Sequence, residues 1–201
     1  MFMRTRQEHS KTKEKILKTA EQLMLAQGYA ATSIEKICKA AKLTKGSFFH
    51  YFKNKEDLGK TLVERFCCSS QEKIQQVCCK ESGQDPLARV YLYIDSVIEG
   101  KAGKGGCLIG TFAQELSDTH PHIRSCCAKG FEEWAEVLRK DLTQAKAKYA
   151  PKLSVDGQSL AEYLIAVFEG AQILARAKKD PRVVRESMQH AKRYLRSLFG
   201  R

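Results

Sequence analysis

Apolar residues return every three or four positions from Ile16 to Ala171, and nowhere does apolar–polar alternation survive for more than a few residues. That spacing restricts the chain to helices. Ile16, Leu17, Ala20, Leu23 and Met24 form one apolar face, closed by Gly28 in the position just past a helix end. Thr32-Ser33-Ile34-Glu35 has the form of a capping box, with Thr32 accepting from a free backbone N–H and Glu35 reaching back. The short helix after it turns Ile34, Ile37 and Cys38 inward. Ala41-Lys42-Leu43 reads as a turn anchored in the core by Leu43, and Thr44 caps a third short helix running through Phe52. Asn54, with Asp57 three residues on, opens a fourth helix bearing Leu58, Leu62, Phe66, Ile74 and Val77.

Longer helices are expected beyond Gly83. Asp85-Pro86 is a cap followed by proline at the first helical position, and Leu87, Val90, Tyr91, Ile94, Val97 and Ile98 repeat behind it. Gly100 to Gly106 reads as a flexible break. Leu108, Phe112 and Leu116 make a short helix, and His120-Pro121 starts one with Phe131, Trp134, Leu138 and Leu142 on one side. After a loop from Pro151 to Gly157, two last helices span roughly 157–177 and 181–198. The expected fold is all-α: an N-terminal three-helix unit over residues 1–66, which includes the start of a linking helix, and a larger helical unit over 67–201.

Charge narrows the function. The chain carries a formal +12, of which +7 falls in residues 1–66. A basic surface concentrated in a small helical unit suits a polyanion. No stretch of 18 apolar residues offers a membrane span, and lysines at 11, 13, 15 and 18 interrupt any signal-peptide core. A cytoplasmic location is expected, with the eight cysteines as thiols. The adjacent pairs Cys67-Cys68, Cys78-Cys79 and Cys126-Cys127 lack zinc-finger spacing.

The three N-terminal helices, the third beginning Thr44-Lys45-Gly46-Ser47, make a helix-turn-helix. Lys45 and Ser47 stand where side chains reach base edges in a major groove, lysine favouring guanine O6 and N7, and Phe49 can press on a thymine methyl. Gly46 lets the backbone approach the duplex. Thr32, Ser33, Thr44, Tyr51 and Lys55 lie at helix termini, where donors suit phosphate oxygens; His50 can reach a phosphate as well. Phe48 and Phe52 are expected in the core. Arg4 and Arg6 belong to a tail that is either solvated or an arm into the minor groove.

The run from Leu43 through Gly46-Ser47-Phe48-Phe49-His50-Tyr51-Phe52-Lys53-Asn54-Lys55 to Leu58 resembles the signature of the TetR family of regulators. The likeness extends back through Gly28-Tyr29-Ala30-Ala31-Thr32-Ser33-Ile34 and covers roughly residues 10–60. It implies a homodimer on two-fold operator DNA whose affinity falls when the C-terminal domain takes an effector. Phe49 replaces the tyrosine usual in that family, so a hydroxyl contact to phosphate is lost there.

In the second half, Gly105-Gly106-Cys107-Leu108-Ile109-Gly110 followed by Glu115-Leu116-Ser117-Asp118 is the most distinctive stretch. It resembles TetR-type repressors that respond to electrophiles or oxidants. At a helix N-terminus the dipole favours a thiolate, which would make Cys107 reactive; the same residue also packs well as a small hydrophobe. Thiol sensing and a reversible small-molecule effector both stay open. Arg176 stands where it could stabilise a thiolate or an anionic ligand, an ion pair being the commoner use of such a residue; Phe112, Phe131, Trp134, Tyr163 and Phe168 are mostly core, with Phe112, Trp134 and Tyr163 the candidates to line an effector cavity. His122 and Cys126 share a helix face, but His120 precedes the proline and turns away, so no metal or other cofactor is assigned. The final two helices carry apolar faces broad enough for a four-helix dimer interface, with Gly170-Ala171 and Ala175 allowing close approach; the same faces could instead be intramolecular core.

Two other classes compete. An enzyme would need a nucleophile with an oriented base, and Cys107 near His120 or His122 has nothing to orient the imidazole. No P-loop or dinucleotide fingerprint occurs. An architectural protein would bind random DNA as well as any operator.

Overall fold

The computed structural model describes the backbone of residues 2–79, 85–99 and 106–200, and the side chains of 11–69, 72, 85–99 and 106–200. Among these, every regular element is a helix: α1 (Phe2–Gln27), α2 (Ile34–Ala41), α3 (Lys45–Phe49), α4 (Lys55–Cys79), α5 (Pro86–Ile98), α6 (Leu108–Leu116), α7 (Pro121–Tyr149), α8 (Gly157–Lys178) and α9 (Arg182–Phe199). The all-α expectation holds. The N-terminal residues are helical from Phe2 and not a tail; the side chains of Arg4 and Arg6, and the break expected at 100–105, lie outside the described residues.

The chain divides into two compact units, and the division differs from two consecutive blocks. The first comprises residues 1–66 together with 108–130; the second comprises 67–107 and 131–201. In the first unit, α6 and the first turns of α7 join the N-terminal helices. Periodicity had shown α6 to be amphipathic without showing where its apolar face goes.

In the first unit, Ile16, Leu17, Ala20 and Met24 of α1 pack with Ile37, Cys38 and Ala41 of α2, Phe48, Phe52, and Leu58, Leu62 and Val63 of α4, all buried. Ile34, Leu23 and Leu43, placed inside by their spacing, are only half-buried. Arg65 ties α4 to α1 through Glu14 at 2.6 Å. The α4 start carries a reciprocal cap: Asn54 Oδ1 accepts from the Asp57 N–H at 2.8 Å, and the Asp57 carboxylate accepts from the Lys53 N–H at 3.0 Å.

The second unit centres on Leu87, Val90, Tyr93, Ile94 and Val97 of α5, Leu138 and Leu142 of α7, Leu160, Leu164 and Phe168 of α8, and Met188, Leu195 and Phe199 of α9. Lys192 of α9 holds Asp95 of α5 at 2.6 Å, and Arg89 of α5 holds Asp141 of α7. Asp85 caps α5 as expected, accepting from the N–H groups of Leu87 and Ala88 at 2.9 and 3.3 Å, from Lys148 at 2.6 Å and from the Tyr149 hydroxyl. Burial alone would raise the pKa of this carboxyl, but Lys148, Tyr149 and the two backbone donors outweigh it and hold the pKa at about 2. A folded value below the unfolded one contributes stability that is complete above about 4 and drains away as pH falls through about 2. Asp85→Ala should therefore lower stability by about 1 kcal/mol at neutral pH. In thermal unfolding, the gap from the wild type should narrow between pH 4 and pH 2. A gap that does not change with pH would remove the carboxylate from this account.

Candidate nucleic-acid interface

Lys42 makes the turn of the helix-turn-helix by taking a left-handed conformation, φ 51°, with its N–H and that of Leu43 returning to the carbonyls of Lys39 and Cys38. Thr44 then caps α3, its Oγ1 accepting from the Ser47 N–H at 3.1 Å and lying 3.0 Å from the Ser47 hydroxyl. The Thr44 hydroxyl is thereby committed to shaping α3. The helix is shorter than expected, ending at Phe49, and Phe52 follows in a turn whose N–H returns to Phe48.

Consecutive phenylalanines on α3 part company. Phe48 is fully buried, its ring 5.6 Å from that of Phe52, whereas Phe49 is 52% exposed. Lys45, Gly46 and His50 share the exposed side; Ser47 and Tyr51 are half-buried. A Cβ placed on Gly46 would meet only Thr44 Oγ1, at 3.7 Å, so the fold of the chain itself does not demand glycine there. Lys45 is paired with Glu35 of α2, the residue that spacing alone assigns to the α2 capping box. Lys45, the Glu35 backbone N–H and the Ser33 hydroxyl hold that carboxyl down at about 2. Both partners are more than half exposed, so the pair is weak and Lys45 can exchange it for another acceptor.

Two expected phosphate contacts, Thr32 and Lys55, come out differently. The α2 cap is Ser33, whose Oγ accepts from the Lys36 N–H at 3.2 Å. Thr32 is fully buried: its hydroxyl donates to the Gly28 carbonyl at 2.7 Å and accepts from Gln27, so it closes the α1–α2 turn and has no face for a phosphate. Lys55 is half-buried, its ammonium donating to the Tyr29 carbonyl at 3.1 Å and lying 4.2 Å from the centre of the Tyr29 ring. Burial lowers the basicity of Lys55, partly offset by the Glu115 charge. Burial, then the charges of Glu56 and Glu115, push the Tyr29 phenol up to about 12.

The effector residues are dispersed. Phe112 is fully buried in the core of the first unit, 5.5 Å from Tyr29. Tyr163 is exposed on α8, its ring 5.1 Å from Tyr194 of α9. Arg176 is exposed near the end of α8. Cys107 and Trp134 both fall in the second unit. Cys107 is buried immediately before α6, and its thiol hydrogen-bonds the Glu169 carboxyl of α8. Burial raises the pKa of Glu169, the Cys107 hydrogen bond opposing it. Glu169 Oε1 and Trp134 Nε1 are buried without a hydrogen-bond partner. Neither Glu115 nor Glu169 was found by sequence reasoning, although Glu115 lies in the stretch singled out after Cys107. Among the described residues no group of three His, Cys, Asp or Glu side chains is arranged to hold a metal ion, and no helix is long and apolar enough to cross a membrane.

A capped turn joining two short helices, with lysine and an unburied aromatic on the second, defines a helix-turn-helix DNA-binding protein. Residues 16–61 match the family described as "Bacterial regulatory proteins, tetR family", and residues 86–191 match "Tetracyclin repressor-like, C-terminal domain". The chain belongs to the TetR family and is a DNA-binding transcription regulator, not an enzyme. It is 27% identical over 168 residues to the HTH-type transcriptional repressor DhaR of Mycobacterium sp. (strain GP1), covering 84% of each chain. It is 25% identical to the HTH-type transcriptional repressor NemR of Escherichia coli over 185 residues, 90% of this chain and 92% of that one. Among solved structures, a regulatory protein TetR from Rhodobacter sphaeroides superposes with a TM-score of 0.79 at 27% identity, over 90% of this chain and 96% of that one. The reduced form of E. coli NemR does so with 0.78 at 25%, over 91% and 96%.

Proposed function

We propose that the chain is a cytoplasmic repressor that binds a two-fold operator as a homodimer and releases it when the second unit takes a small-molecule or thiol-reactive effector. Lys45, Ser47 and Phe49 read base edges, Gly46 allows close approach, and Ser33, His50 and Tyr51 contact phosphates. The observation that carries this reading is the 52% exposure of Phe49 beside Lys45 on a helix whose other phenylalanine is fully buried. An apolar ring without cover in a basic unit fits a thymine methyl.

The dimer face is assigned to roughly 157–198. Among the described residues, the other exposed large apolar side chains are Tyr163, Ile173, Leu174 and Tyr194, all on α8 or α9. A Cβ added to Gly170 would meet nothing within 4 Å in its own chain, which leaves room for a second helix. Ala171, by contrast, is buried within the chain and belongs to its core. Repression is favoured by relatives that are themselves described as repressors. Cys107, with its thiol against a buried carboxyl, is the effector-responsive residue of this reading, and Trp134 belongs to the same unit.

Lys45→Ala tests the reader. Selection of duplexes from a random pool should show relaxed preference at one position in each half-site, discrimination there falling roughly five- to hundredfold. Affinity for random DNA should change little. Equal losses on selected and random duplexes would make Lys45 a phosphate contact and overturn its assignment as a reader.

A further inference from the structure

Two backbone donors in the α1–α2 turn are held by a helix far away in sequence. Glu115 of α6 spreads its carboxylate over the turn, Oε2 accepting from the Tyr29 N–H and Oε1 from the Ala30 N–H, each at 2.7 Å. From the other side Lys55, first residue of α4, donates to the Tyr29 carbonyl and covers the face of its ring. The Tyr29 ring is buried between Phe112 of α6, 5.5 Å away, and His120, 5.4 Å away. Gly28 makes room for the carboxylate: its φ is +89°, and a Cβ there would lie 3.0 Å from Glu115 Oε2. One dipeptide is thus grasped by α4 at its carbonyl and by α6 at its N–H groups, all within the first unit. The turn leads directly into α2, and α2 into α3, so its position sets where the exposed side of α3 stands.

We propose that Glu115 and Lys55 are positioning residues for operator binding, fixing the α1–α2 turn from α6 and α4, and that Lys55 serves this junction and not a phosphate. The inference rests on the reading of α3 as the DNA reader. Its chemistry is that of a charge-assisted, two-pronged hydrogen bond to backbone, which fixes direction as well as distance. Glutamine at 115 keeps the volume but offers one acceptor oxygen and an NH2 that cannot accept, so one of the two bonds is lost.

The test uses the full-length protein, Glu115→Gln, Lys55→Met and the double variant, titrated over a range of salt with the duplex selected by the wild type and with random duplex. Thermal unfolding is followed in parallel. Each single variant should weaken operator binding roughly tenfold, the size expected for losing a hydrogen bond to a charged group. Random-duplex affinity should hold. The double variant should be little worse than the poorer single one, because both act on one turn. Lys55→Met should keep the salt slope of the wild type. A slope reduced by about one, with losses that add, would make Lys55 a phosphate contact and overturn the proposal. Unaltered operator affinity in a folded Glu115→Gln protein would overturn it as well. Should Glu115→Gln lower the melting temperature enough to unfold the unit, the salt slope of Lys55→Met decides: retained, it supports the junction; reduced, it overturns it. A wild type that does not separate selected from random duplex sinks the reading of α3 itself, whereas one that does, with Glu115→Gln unaffected, sinks only the junction.

Discussion

Phe48→Ala is expected to unfold the DNA-reading unit, while Phe49→Ala, one residue along, should leave the unit folded and weaken its hold on operator. The two rings are in edge contact at 5.4 Å, yet their surroundings are opposite. Phe48 is fully buried with Phe52 against it, and a five-residue helix has too few internal hydrogen bonds to stand without that anchor. Emptying such a site costs about 3–5 kcal/mol, a large share of the stability of a small unit. Phe49, half exposed, gives up little on truncation, and surface changes of this kind usually stay within about 0.5 kcal/mol. On DNA the order reverses: losing an apolar contact to a thymine methyl in both half-sites should cost roughly tenfold or more in operator affinity. Thermal unfolding and operator titration of both variants separate the roles. If Phe49→Ala melts as early as Phe48→Ala, the exposed ring is structural and the base contact is lost from the account.

That contrast was legible in the sequence, since helical spacing puts neighbours on different faces and caps at Thr44 and Asn54 fix where the spacing starts. What spacing cannot supply is the partner across the fold. Thr32 and Ser33 are both good capping residues; the choice between them was made by the Gly28 carbonyl, which draws Thr32 inward and leaves Ser33 to cap. Lys55 looked like a solvated cation at a helix start until Tyr29 supplied a carbonyl and a ring face. Phe112 and Glu115 sit on one short helix, and their assignment to the DNA-reading unit depends on Tyr29, more than eighty positions earlier.

The second unit was harder for a related reason. Trp134, Tyr163 and Phe168 are equivalent as aromatic positions on amphipathic helices, but Tyr163 faces outward against Tyr194 while Trp134 packs on Phe168 at 5.5 Å. A cation such as Arg176 suits a thiolate on chemical grounds, yet the structure sets the carboxyl of Glu169 against the Cys107 thiol. The sequence contains no pattern linking positions 107 and 169.

Cys107→Ser should abolish release of operator by a thiol-reactive agent, and the position of the thiol predicts how the wild type responds. Alkylation by N-ethylmaleimide forms one S–C bond, the thiol proton ending on the neighbouring ring carbon. Cys107 is 4% exposed, so the adduct has no room unless its surroundings shift, and forcing added bulk into a packed site typically costs about 1–3 kcal/mol. That strain is released by a change in packing around Cys107 in the second unit. The expected result is a loss of operator affinity on the order of tenfold in the wild type and none in Cys107→Ser. Burial also sets an order of events: the exposed Cys68 should be labelled first, with no change in DNA binding, and release should follow the slower labelling of Cys107. Glu169→Gln keeps a hydrogen-bond acceptor for the thiol but can carry no negative charge, so at pH values where Glu169 is ionised Cys107 should be alkylated faster than in the wild type while Cys68 keeps its rate. Mass spectrometry of timed aliquots alongside operator titration reads both quantities. Release that tracks Cys68, or that persists in Cys107→Ser, would take the thiol out of the mechanism and leave a reversibly bound effector as the signal.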